Sequence, residues 1–177
     1  MYEVLDSLSF KEIIGYSIDA EENAYQFYTK MAEGLSELPA QRYNALASDE
    51  KLHKKELLKL HKRLFGSDEY VVPDKKGLPP HEGDVKVDTI VNLIQSLDVA
   101  IRSEQNAYKI YSYLAKKQPE HKKFFKYVAM MEHAHYESLK AEKEMYEMGV
   151  DTKEIKGSEA PSIWLQEEDQ NISSPVR

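Results

Sequence analysis

One eight-residue string occurs twice in the chain. Glu21-Glu22-Asn23-Ala24-Tyr25-Gln26-Phe27-Tyr28 returns, with changes, as Glu104-Gln105-Asn106-Ala107-Tyr108-Lys109-Ile110-Tyr111, 83 residues later. A second match, at an offset of 82, pairs Glu50 and His53 with Glu132 and His135. The chain thus reads as two copies of one helical hairpin. A bundle with two-fold pseudo-symmetry would place the matching residues opposite each other around its axis.

The hydrophobic pattern supports helices throughout. The first copy carries Phe10, Ile14, Ser17, Glu21, Ala24, Tyr28, Met31 and Leu35, at alternating steps of four and three that line one stripe of a helix. Four long helices are expected, at about 9–36, 40–66, 88–118 and 119–149. Ser9 with Glu12 forms a capping box at the first start, and Gly66 is a stop for the second helix. Short links make the members of each hairpin antiparallel neighbours. Residues 66–87 hold Pro73, Gly77, Pro79, Pro80 and Gly83, too many breakers for a helix, and read as a long crossover. The expected fold is all-α: a four-helix bundle over 1–149, followed by a tail over 150–177 that is partly disordered. In that tail Ile163, Trp164 and Leu165 could dock on the bundle or on a partner.

Each helix sets a glutamate in mid-stripe, where packing asks for an apolar residue: Glu21, Glu50, Glu104 and Glu132. His53 and His135 follow Glu50 and Glu132 by one turn on the same face. Burying an ionised carboxylate costs several kcal/mol even after relaxation, and four together repel. A buried salt-bridge network would need Lys or Arg in the stripes, which hold none. Two divalent cations would cancel four negative charges, with neutral imidazoles completing the coordination. The chain has no cysteine, so thiolate zinc sites, iron–sulfur clusters and disulfides are excluded.

At these residues the chain resembles the ferritin-like di-iron carboxylate proteins, most closely the erythrin domain of rubrerythrins. The resemblance covers about 10–149. It implies that Glu50 and Glu132 bridge two metals, that Glu21 and Glu104 are terminal ligands, and that His53 and His135 each cap one metal. It also implies iron, although the ligand types accept Mn or Zn. The activity implied is reduction of hydrogen peroxide or dioxygen with electrons from an external donor protein. Two alternatives stand beside it: iron oxidation for storage or detoxification, and a non-catalytic, metal-stabilised binding module. The chain departs from the family pattern in two places. The cysteine-rich rubredoxin domain is missing, and Ala107 stands where a further glutamate is usual.

The remaining candidates carry less. Tyr28 and Tyr111, two turns from Glu21 and Glu104, suit core packing with a hydrogen-bonded hydroxyl. The alternative is support of the ligands or electron donation. His61, His81, His121 and His133 fall off the stripes and read as surface residues. Glu142 and Tyr146 sit in the last turns of a stripe, where the bundle should open to water. The net charge is -7 and no basic face is evident, so nucleic acid is an unsuitable partner. No signal peptide and no run of ~18 apolar residues is present, which points to a soluble, cytoplasmic protein without membrane contact. A homodimer is expected, with exchange of hairpins open to it.

Overall fold

The computed structural model describes residues 1–74, 77–79 and 90–149. Among these there are five α-helices: α1 (Tyr2–Ser7), α2 (Phe10–Glu33), α3 (Glu37–Phe65), α4 (Ile90–Lys117) and α5 (Lys122–Glu147). A 3-10 turn, Pro119–His121, leads into α5. The described residues contain no strand, and none of their helices is long and apolar enough to cross a membrane. The all-α bundle is as expected. The tail over 150–177, with Trp164, lies outside the described residues, as does His81.

Local chemistry sets the helix ends. Ser9 caps α2 as a full capping box: its Oγ accepts from the Glu12 amide at 3.3 Å, and its own amide donates to Glu12 Oε2 at 2.8 Å. Gly66 ends α3 in the left-handed region at φ 77°, with its amide donating to Lys62 O at 2.9 Å. Two ends differ from expectation. Helix α3 starts before Pro39, because a proline in the first turn lacks only an amide that no intrahelical carbonyl would have accepted. At Pro119 the chain forms the 3-10 turn first, so α5 begins at Lys122.

The chain pairs α2 with α3 and α4 with α5. Phe10 at the start of α2 meets Phe65 at the end of α3 and Phe125 at the start of α5, with ring centroids 6.2 and 6.1 Å away. At the far end, Tyr43 near the start of α3 meets Glu142 near the end of α5. Helix α4 starts at this far end with Leu93 and Leu97 and finishes at the first with Tyr111 and Leu114. Helices α3 and α4 therefore run parallel, which forces the long crossover between them. Its described part lies on α1 and α2. Leu78 is buried there, and Tyr16 donates to Pro79 O at 2.8 Å. Gly15 is the contact point: a Cβ at this position would stand 2.2 Å from Val71 O, so only glycine fits.

Two apolar clusters fill the two ends of the bundle, with the glutamate level between them. Helix α1, too short for periodicity to reveal, closes the first end. Leu5 is fully buried, worth about 1.5–3 kcal/mol by burial alone. Asp6 accepts from Tyr113 Oη at 2.8 Å and from Lys117 Nζ at 2.6 Å. His61 corrects its sequence reading: it is fully buried, because residues after Gly66 fold back over the end of α3. Its Nδ1 donates to Ser67 O at 2.7 Å, and its ring packs on Phe65. His133 is exposed, as expected, and His121 is half-buried against Phe10.

Candidate metal centre

All six predicted residues meet at the bundle midpoint, and all are buried. Four-three spacing on each helix turns them inward at one level. They form two overlapping groups: Glu21, Glu50, His53 and Glu132 in one, Glu50, Glu104, Glu132 and His135 in the other. Within each group one ligand atom per residue lies within 4.8 Å of all the others. Glu50 and Glu132 belong to both, which is the arrangement that bridging requires. The imidazoles cross between hairpins: His53 Nδ1 lies 2.9 Å from Glu132 Oε1, and His135 Nδ1 lies 3.1 Å from Glu50 Oε1. The two rings sit 6.0 Å apart.

These short approaches are not hydrogen bonds in alignment. Glu50 Oε1, Glu132 Oε1 and His135 Nδ1 are all buried without a hydrogen-bond partner. Buried polar atoms are normally satisfied, so each exception calls for a cause. Buried nitrogen and oxygen atoms left unpaired this close together are placed where they could hold a metal ion. No Lys or Arg ion pair reaches any of the six among the described residues. The donor set, carboxylate oxygens with imidazole nitrogens, fits divalent iron, manganese or zinc.

The electrostatics show what a cation would relieve. Burial drives Glu21 up to about 8 against the pull of His53, and drives Glu132 well above the carboxylate range with the charges of Glu50 and Glu21 adding to it. Glu50 is also pushed up by burial and by Glu104. The close approach of the His135 and His53 imidazoles outweighs this and holds it low. Burial pulls His135 down, but Glu104 and Glu50 raise it to about 10, and His53 is raised in the same way by Glu132, Glu21 and Glu50. Without a metal, protons are the positive charge that this cluster gathers. Metal binding would therefore release protons.

Two tyrosines brace Glu104 and Glu21 across the bundle. Tyr28 of α2 donates to Glu104 Oε1 of α4, and Tyr111 of α4 donates to Glu21 Oε1 of α2. Both rings are buried in the core with a hydrogen-bonded hydroxyl, as expected, and in each case the acceptor is one of the six predicted residues. Burial and the negative charge of Glu21 hold the Tyr111 phenol well above its ordinary range. Ala107 is half-buried and packs on the first-end cluster.

The sequence reading missed two features. Asp49 Oδ2 accepts from His135 Nε2 at 3.4 Å, the partner on the far ring nitrogen that orients a ligating imidazole. The signal was the Asp49-Glu50 pair one residue off the stripe. Glu142 and Tyr146 are buried instead of open to water. Glu142 accepts from Tyr43 Oη at 2.8 Å and faces Arg42 Nη1 at 3.2 Å.

Comparison with known proteins agrees with this geometry. Residues 12–143 match the family profile described as rubrerythrin. A solved hypothetical protein from Pyrococcus furiosus is 30% identical and superposes with a TM-score of 0.72, over 81% of this chain and 93% of its own. No curated protein matches the chain. Proteins of the rubrerythrin family typically bind a di-iron centre, and the buried glutamate and histidine groups here could hold metal ions. A profile match across most of the chain, on the fold and residues described above, makes this protein a member of the rubrerythrin family.

Proposed function

We propose that the chain holds two iron ions through Glu21, Glu50, His53, Glu104, Glu132 and His135, and reduces hydrogen peroxide, or dioxygen, with electrons from an external donor protein. The observation that carries this is the convergence of unaligned ligand atoms in two groups sharing Glu50 and Glu132. An iron pair held by these residues would supply reversible one-electron chemistry, and peroxide needs two electrons and two protons to become two waters. The chain does the rest. The two apolar clusters keep water from the midpoint from either end. Asp49 sets the tautomer of His135 so that Nδ1 faces the carboxylates. Tyr28 and Tyr111 hold the outer carboxylates in place and keep a proton at each phenolic oxygen.

The test is elemental analysis of protein purified without added metal, together with peroxide consumption in the presence of a supplied electron donor. Two irons per chain and donor-dependent turnover are expected. Glu132→Ala should lose both metals, because this residue belongs to both groups. Full occupancy of two metals in that variant would overturn the assignment. Ferrous oxidation in air that yields large mineral particles, without peroxide turnover, would instead make the protein an iron-storage catalyst.

A further inference from the structure

We propose that Tyr43, with Glu142 as its proton acceptor, forms a one-electron relay between the metal centre and the surface, at one end of the bundle only. This rests on the peroxide-reducing reading above. The relay is a continuous set of contacts. Tyr28 donates to Glu104, and its ring stacks on that of Tyr43 with centroids 6.4 Å apart and planes 24° from parallel. Both rings are essentially fully buried. Tyr43 Oη in turn donates to Glu142 Oε1 at 2.8 Å. Glu142 Oε2 faces Arg42 Nη1 at 3.2 Å, and the Arg42 side chain is 37% exposed. Arg42 is fixed in place by a hydrogen bond from Nη2 to Ser138 O at 2.6 Å.

A buried phenol cannot lose an electron alone, since that would leave a cation in an apolar site. Here the proton has somewhere to go. In the proposed step Tyr43 loses one electron through the Tyr28 ring to a centre oxidised by peroxide, and its phenolic O–H bond breaks. The proton moves along the existing hydrogen bond to the Glu142 carboxylate, leaving a neutral phenoxyl radical on Tyr43 and a neutral carboxyl beside Arg42. An electron from the external donor then restores Tyr43, and the proton returns from Glu142. Burial already raises the affinity of Glu142 for a proton, against the opposing charge of Arg42 and the hydrogen bonds from Tyr43 and Tyr146. Burial and the Glu142 charge likewise disfavour the phenolate of Tyr43, so electron and proton must leave together.

Among the described residues, the opposite end lacks every counterpart of this path beyond its first ring. Tyr111 donates to Glu21 and stacks on Phe125, with centroids again 6.4 Å apart. Phe125 has no hydroxyl. The repeat offset that maps Tyr43 onto Phe125 also maps Glu142 onto Leu60 and Arg42 onto Phe124. A hole reaching Phe125 would find no proton to release.

Freeze-quench electron paramagnetic resonance tests the relay, on iron-loaded full-length protein mixed with hydrogen peroxide. The wild type should show a tyrosyl radical. Tyr43→Phe should lose it while ferric absorption still develops, and Glu142→Gln should do the same with the phenol intact. Phe125→Tyr should add no second radical. A wild-type radical yield in either Tyr43→Phe or Glu142→Gln, with normal iron oxidation, overturns the relay and leaves the peroxide reading standing. Absence of iron oxidation by peroxide in the wild type overturns both. If Tyr43→Phe fails to fold by circular dichroism, Glu142→Gln decides.

Discussion

The two ends of the bundle are copies of each other in sequence and opposites in chemistry. At the first end Phe125, Leu60 and Phe124 join an apolar cluster closed by Leu5. At the second their counterparts Tyr43, Glu142 and Arg42 form a polar network that is buried at Tyr43 and Glu142 and partly exposed at Arg42. The six ligand positions between the ends match one for one. The difference shows where each residue's freedom ends. A mid-bundle glutamate serves a balance of charge with its five neighbours, and one change leaves the others unpaired. The ends answer only to packing and local satisfaction, and two unlike solutions do so.

The largest expected effect belongs to the apolar end. Phe125 is fully buried among Phe10, Phe124 and Tyr111. Phe125→Ala should cost about 3–5 kcal/mol in urea unfolding, for lost burial and the remaining cavity. A loss much below that would mean that this end is as yielding as the polar one. Tyr43→Phe keeps the ring and removes only the hydroxyl, so Glu142 keeps Tyr146 and Arg42 but loses one donor. About 1–3 kcal/mol is expected, for the loss of one hydrogen bond to a buried carboxylate.

Converting the polar end to the chemistry of the other gives the smallest change. Tyr43→Phe combined with Glu142→Leu removes both partners and should lie within ~1.5 kcal/mol of the wild type near neutral pH. The pH dependence fixes the sign. Glu142 is raised in the folded protein, chiefly by burial, so its contribution is fully present below the unfolded value of about 4.3 and is lost as pH rises through the folded value. The wild type should therefore gain on the double variant as pH falls from neutral. Parallel stability curves for the two proteins would remove Glu142 from the account of the polar end.

Much of this was legible in the sequence, for reasons that its misreadings make plain. Ser9 with Glu12, Gly66, and the six ligands act through neighbours three or four residues away, or through the repeat, and the string of residues displays both. Depth and long-range partners are not displayed. The stripe shows that Glu142 faces inward but not that Arg42, on another helix and off its own stripe, would allow its burial. His61 is buried because Ser67 turns back over it, a contact that helical periodicity does not contain. Helix α1 has six residues, fewer than two turns, so no period could announce it.

The contact of Gly15 with Val71 O has a mechanical consequence. Successive residues on a helix lie about 100° apart, so turning α2 by one position would bring Ile14 or Tyr16 against that carbonyl. Neither side chain fits where a single methyl group does not. The crossover segment thus acts as a key, and Gly15 as the slot that admits it in one orientation. Glu21 stands six residues further along the same rod, about 9 Å away. The carboxylate is indexed to the bundle axis by a residue that carries no functional group at all.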